Sequence, residues 1–318
     1  MPDGIPPIDD PRFVHAADVD FLAEREPVFA LGLGGETRAY PLQILTWHEI
    51  VNDTVGGVPV SVSYCPLCNS AIAVDRRVGD RVLDFGVSGH LWNSSMVMWD
   101  RQTRSLWGHF TAEGLAGRLA GVELETYPVT IAAWSDFRDA HPDALVLSRD
   151  TGHTRPYGSN PYPGYDDVSK PPFAFDGEVD GRYAAKTRVL GVELDGRSAA
   201  IVRVRLRSES VVPFELDSSQ LVAFWTAGTA SGLDERTVAE GRDVGSAAVF
   251  VPVVAGRELT FAGDADSAIH DVQTGSTWSI FGTAVDGELA GAQLTAVPHV
   301  DTFWFAWAAF HPDTAVID

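Results

Sequence analysis

Asp100-Arg101-Gln102-Thr103-Arg104-Ser105-Leu106-Trp107 returns later in the chain as Asp271-Val272-Gln273-Thr274-Gly275-Ser276-Thr277-Trp278. Outward from that pair the agreement continues in the same order. Leu119-Ala120-Gly121-Val122-Glu123-Leu124 matches Leu289-Ala290-Gly291-Ala292-Gln293-Leu294. Phe137 to Leu147, with Ala140-His141-Pro142-Asp143, matches Trp307 to Ile317, with Phe310-His311-Pro312-Asp313. Upstream, Leu33-Gly34-Gly35 aligns with Leu194-Asp195-Gly196, each a hairpin-turn signal between apolar runs. Ordered matches of this kind mark an internal repeat. Residues of about 26–147 and 185–317 are expected to superpose as two similar lobes packed through matching faces.

The local signals within each unit are mostly β. Pro27–Leu33, Val58–Tyr64, Ser70–Val74, Val82–Val87 and Ser95–Trp99 are short runs of β-branched and aromatic residues separated by Gly or Asp. Two helices are expected: Pro41–Val51, with proline in its first turn, and Thr130–Ala140, with threonine at the N-cap. The fold class is therefore α+β and β-dominated. It divides into an N-terminal lobe over 1–147, a connecting strap over 148–184 dense in Pro, Gly and Tyr, and a degenerate second copy over 185–318. A connection that long either packs as an ordered strap or covers a site. Tyr157, Tyr162 and Tyr165 are expected to lie against the first copy.

The copies differ where chemistry resides. Ser70–Val74 aligns with Ser246–Phe250 and Leu83–Phe85 with Leu259–Phe261, so Cys65 and Cys68 fall opposite Gly241 and Val244. Ser88-Gly89-His90-Leu91-Trp92 has no counterpart, and His109 falls near Ile280. Cys65-Pro66-Leu67-Cys68 follows a strand, and its two thiols can close a redox disulfide or hold one soft metal; the bland alternative is a pair of buried thiols. An apolar β-like run follows the pair, whereas a thioredoxin-like pair precedes a long helix. His48, late in the first helix, could be a third ligand or the base for a thiol. His90 and His109 would complete a Cys/Cys/His/His set suited to zinc or copper. His141 and His311 recur before Pro-Asp and read as structural; Met96 and Met98 share one strand face and read as packing.

Composition sets the outer bounds. The 318 residues carry a net charge of −21, with Lys170 and Lys186 the only lysines, which argues against nucleic acid and anionic membrane surfaces as partners. Met1-Pro2-Asp3-Gly4-Ile5-Pro6-Pro7 lacks the basic start and apolar core of a signal peptide, and no stretch approaches a membrane span. The chain reads as soluble and, as it stands, cytoplasmic. Two cysteines are too few for a disulfide scaffold.

Asp3-Gly4-Ile5-Pro6, Arg38-Ala39-Tyr40-Pro41, Trp47-His48-Glu49-Ile50-Val51-Asn52-Asp53, Tyr64-Cys65-Pro66-Leu67-Cys68, Phe85-Gly86-Val87-Ser88-Gly89 and Asp100-Arg101-Gln102-Thr103 together resemble the domain-of-unknown-function family 3179. The resemblance extends over nearly the whole chain, to Phe303-Trp304-Phe305-Ala306-Trp307. No activity defines that family. Its pattern includes the residues matching His48, Cys65 and Cys68, which implies a shared site. Many relatives are exported, which leaves a periplasmic or extracellular origin open for a trimmed form. His90 and His109 depart from the pattern, which commonly has Gln at the latter.

Three functions follow as expectations. The first is a copper- or zinc-binding protein, an enzyme, with metal on Cys65, Cys68 and one or more of His48, His90 and His109. The second is a metal-free thiol–disulfide oxidoreductase using Cys65 and Cys68, with His48 as base. The third is a non-enzymatic binding module using the aromatic surface around Trp92, Trp99 and Trp107 together with the strap. The small-molecule substrate and the oligomeric state are not legible.

Overall fold

Strand pairs joined by two-residue turns dominate the computed structural model, which describes residues 2–264 and 268–318. With 43% of residues in strands and 11% in helices, the chain is α+β and β-dominated. Pro27–Leu33 turns into Glu36–Pro41 through Gly34 and Gly35, both with positive φ. That geometry matches the twist of the flanking strands and costs glycine least. The second half repeats the device: Arg188–Leu194 turns into Arg197–Val202 through Asp195 and Gly196.

The order of elements recurs. The hairpin 27–41 leads into helix α1 (Leu42–His48), then strands Ile50–Val55, Val58–Cys65 and Ser70–Asp75. A small outer sheet over 85–116 follows, then strand Thr130–Ala133 and helix α2 (Trp134–Ala140). In the second half the hairpin 188–202 leads into helix α3 (Arg203–Glu209), strands Val211–Leu216, Ser219–Thr226 and Ser246–Val251, and an outer sheet over 261–286. Strand His299–Phe303 and helix α4 (Trp304–Phe310) close the series. The repeated Asp-x-x-Thr segments make the same bonds. Trp107 Nε1–H donates to Asp100 at 3.0 Å, and Trp278 Nε1–H to Asp271 at 3.1 Å. The amides of Leu119 and Leu289 donate to Ser105 and Ser276, each at 3.0 Å.

Each half buries one apolar face of its hairpin against the three strands that follow. Phe29, Leu31 and Tyr40 pack on Val51, Val60, Val62 and Tyr64; Leu190, Val192 and Ile201 pack on Val212, Ala223 and Val249. The halves then meet both through strand edges and through a shared core, in which Phe110 and Trp107 pack with Trp304 and Trp307. Strand 130–133 pairs with 27–30 on one side and, at Ile131–Ala247, with the second half on the other, giving a nine-stranded sheet across both halves. On the opposite layer the amide of Phe303 donates to the Cys68 carbonyl at 3.1 Å. Phe110 against Trp307 and Phe310 on one side, and Phe137 and His141 against Phe281 on the other, complete the contact between the halves.

Both helices of the first half are shorter than expected. α1 stops at His48 because Glu49 takes φ +61, its N–H bonded to the Leu45 carbonyl and its own carbonyl accepting the Tyr64 N–H. Thr130 and Ile131 belong to a strand, and Ala133 precedes α2 with no side-chain cap; sheet pairing of β-branched residues prevails over the capping signal. Among the described residues no helix is long and apolar enough to cross a membrane.

Candidate functional site around Cys65 and Cys68

Val58–Cys65 and Ser70–Asp75 form a hairpin in which Cys65 pairs with Ser70. Pro66, Leu67, Cys68 and Asn69 make the turn, with Asn69 at φ +54 and its amide bonded to the Pro66 carbonyl. A strand, not a helix, therefore follows the cysteines. Asparagine tolerates the left-handed conformation that closes such a turn. The turn is clamped from two sides: Tyr165 Oη–H donates to the Leu67 carbonyl at 2.9 Å, and Thr302 Oγ1–H to the Cys68 carbonyl at 2.7 Å.

Both cysteines are free, buried, and 2.8 Å apart at sulfur. That is far inside non-bonded contact and short of the ~2.05 Å of a disulfide. Cys65 Sγ accepts the Met96 N–H at 3.4 Å and lies 3.9 Å from the Ser94 carbonyl. Burial and the adjoining Cys68 sulfur push the Cys65 thiol well up. Burial acts on Cys68 in the same sense, but hydrogen bonds from Cys65 and Ser70 outweigh it and hold Cys68 below the ordinary thiol value. The surroundings thus favour Cys68 over Cys65 as the sulfur that gives up its proton more readily.

His109 reaches the pair through a hydroxyl. Its Nε2 is 2.9 Å from Ser70 Oγ, which is 3.4 Å from Cys68 Sγ, and its Nδ1 is 3.0 Å from Ser63 Oγ. Complete burial holds this imidazole down to about 4, so it is neutral. With the proton on Nε2, His109 donates to Ser70 and frees the Ser70 hydroxyl to donate to the Cys68 thiolate. His109 is a link in a chain of hydrogen bonds, one hydroxyl away from sulfur.

His48 is elsewhere. Nδ1 lies 2.7 Å from the Pro6 carbonyl and Nε2 2.7 Å from Tyr157 Oη, so Nδ1 carries the proton and Nε2 accepts from the tyrosine. Burial, together with His153 and Arg155, lowers its pKa. His90 is exposed on strand Phe85–Trp92. Among the described residues no three His, Cys, Asp or Glu side chains are grouped to hold a metal ion. Of Cys65, Cys68, His48, His90 and His109, the structure brings the two cysteines together, with His109 one hydroxyl away. Both ring nitrogens of His48 and of His109 are hydrogen-bonded, and His90 faces solvent. Of the aromatic surface expected around Trp92, Trp99 and Trp107, Trp107 is fully buried on Asp100.

Glu49, the neighbour of His48, is joined through its backbone carbonyl to Tyr64, the residue before Cys65. The residue is 7% exposed, and its side chain makes no hydrogen bond or ion pair among the described residues. Burial, with a further contribution from Cys65, raises its carboxyl to about 8. Tyr162 and Tyr165 of the strap sit over the same spot, both raised to about 12, chiefly by burial. They pack against the core cluster that holds Cys65 and Cys68. Three of these residues escape the repeat's chemistry signal because they are common types. Glu49 leaves a trace, standing opposite Ser210, which has the same backbone (φ +59) and the same amide and carbonyl partners. A separate cleft of about 500 Å³ between the halves, walled by Phe110, Trp307 and Phe310, does not include either cysteine.

The family described as a protein of unknown function (DUF3179) matches residues 2–314. The chain belongs to that family. Nothing among curated proteins or solved structures matches this DUF3179 chain, so its function is argued from the site alone.

Proposed function

We propose that this DUF3179 protein is a thiol–disulfide redox protein in which Cys65 and Cys68 cycle between dithiol and disulfide, acting on a small disulfide substrate. The observation that carries it is the 2.8 Å approach of two free, buried sulfurs, of which Cys68 is the one whose hydrogen bonds favour loss of the proton. In the forward step the Cys68 thiolate attacks one sulfur of R–S–S–R, forming a Cys68 mixed disulfide and releasing R–S⁻, which takes a proton. Cys65 then loses its proton and attacks Cys68, closing the Cys65–Cys68 disulfide and releasing the second R–S⁻. Two protein thiols are oxidised and one substrate disulfide is reduced. A small substrate is favoured because the pair lies beneath the strap, out of reach of a folded protein partner.

The metal reading rests on the same two sulfurs, with fewer gathered donors among the described residues than zinc or copper sites usually take. The test is trapping. Exposed to hydroxyethyl disulfide, Cys65→Ser should accumulate a mixed disulfide on Cys68, resolved by mass spectrometry, while Cys68→Ser should not. Absence of any adduct on Cys65→Ser would overturn the proposal.

A further inference from the structure

Cys65 is 1% exposed and Cys68 0%, so a reagent reaches either sulfur only when a covering element moves. Much of the cover is sheet. Cys65 pairs with Ser70 inside the hairpin, the Met96 N–H bonds to the Cys65 sulfur, and the Phe303 N–H bonds to the Cys68 carbonyl. The strap is cover of another kind. It reaches the hairpin through Tyr165 Oη–H on the Leu67 carbonyl, and the neighbouring turn through the Phe173 carbonyl, which accepts the Ser94 hydroxyl. Past Asp166 the side chains of Val168 and Phe173 are exposed, and packing falls to Phe175 against Phe305 of the second half. A segment with little apolar burial and partly exposed hydrogen bonds opens at lower cost than paired strands.

What fastens the strap lies in the second half. The Asp166 carboxylate, with its side chain 0% exposed, accepts two bonds from Arg242 at 2.9 and 2.6 Å, one from Arg188 at 3.3 Å and one from the Ser231 hydroxyl. Asp234 holds Arg242 from behind at 2.8 Å. The carbonyl of Tyr165, next along the chain, accepts from the buried Lys186, whose Nζ also lies 3.9 Å from the Tyr165 ring centroid. The amides of Asn160, Gly164 and Tyr165 donate to the carbonyls of Arg236, Asp234 and Leu233. Those last partners stand on the loop between strands Ser219–Thr226 and Ser246–Val251, where the first half has the cysteine turn. We propose that the strap is a gate over Cys65 and Cys68 whose latch is Asp166 with Arg242, so that the cysteine-free half controls entry to the other half's site. A carboxylate stripped of water stays buried only while cations and donors face it. Arg242, 46% exposed, is the member that solvent reaches. When it leaves, Asp166 turns toward water and lifts Tyr165 from Leu67. The gate acts on any reagent bound for the sulfurs, so it stands apart from the redox reading.

The experiment combines iodoacetamide alkylation of the reduced full chain with hydrogen exchange read by mass spectrometry, in the native protein and in Arg242→Ala. In the native chain the amides of 159–175 and the two thiols should report one opening equilibrium, agreeing within about threefold, while strands Val58–Cys65 and Ser70–Asp75 stay protected at least about tenfold longer. In Arg242→Ala alkylation should speed up by about tenfold or more, exchange over 159–175 should rise with it, and the two strands should keep their native protection. Alkylation of Arg242→Ala at the native rate would overturn the latch. Thiols that become reactive only as the hairpin strands lose protection, in either protein, would overturn the gate. Neither result alters the trapping of a mixed disulfide from hydroxyethyl disulfide, which tests the redox reading separately.

Discussion

At the scale of single residues, the burial of Glu49 costs the folded state. Its carboxyl keeps a proton up to about pH 8, whereas in the unfolded chain it loses that proton near the ordinary 4.5. Between those values the folded state holds a proton that the unfolded chain has released, so stability falls as pH rises across that window. Glu49→Gln should flatten this dependence. Denaturant unfolding at pH 5 and pH 9 should show the native chain losing roughly 3–5 kcal/mol more than the variant. Equal losses would remove the buried-acid description. Ser70 makes a second residue-level prediction, because its hydroxyl supports the Cys68 thiolate at 3.4 Å. Ser70→Ala should raise the Cys68 pKa, moving thiolate absorbance to higher pH by about one unit. An unmoved titration would contradict the chain of hydrogen bonds from His109.

Among the elements, the strap and the repeated Asp-x-x-Thr turns make separate claims. Tyr165 accepts the Phe173 N–H at 3.3 Å while it donates to Leu67, tying the strap onto the cysteine turn. Tyr165→Phe loses both bonds, worth about 1 kcal/mol in net opening free energy. Labelling of the thiols by iodoacetamide should then speed up about fivefold, and unchanged labelling would mean that the strap does not govern access. Asp100 and Asp271 each gather a tryptophan N–H and a threonine hydroxyl in the interior. Asp100→Ala and Asp271→Ala should each cost about 2–4 kcal/mol in denaturant unfolding, since each orphans several buried donors. Strand positions were legible because β-branched runs bounded by Gly and Asp carry their own signal, as at Pro27–Leu33. Helix ends were not, because Glu49 is turned by a bond from Tyr64 and Thr130 by a partner strand, both remote in sequence.

For the molecule as a whole, edge-to-edge pairing makes the second half more than a packing companion, since Thr302 and Phe303 hold the Cys68 carbonyl. We propose that the two halves are duplicates. An experimental structure should superpose 26–147 on 185–317 with Trp107 over Trp278 and His141 over His311, and unrelated placement of those pairs would end that proposal. Cys65 and Cys68 were legible in the sequence because only one copy carries them. The company they keep was not: Ser70 and Tyr165 are ordinary residues brought there by the hairpin and the strap, whereas the conspicuous His48 is bonded to Pro6 and Tyr157 and His90 is exposed. The central claim is that Cys65 and Cys68 form one reversible two-electron couple. Equilibrating the purified chain across a series of dithiothreitol redox buffers, then counting free thiols and weighing the protein by mass spectrometry, tests it most directly. The account predicts a single transition from two free thiols to none, with the loss of two hydrogens and full reversal. Two thiols that stay free in the most oxidising buffer, or that are masked by a stoichiometric metal found on elemental analysis, would contradict it.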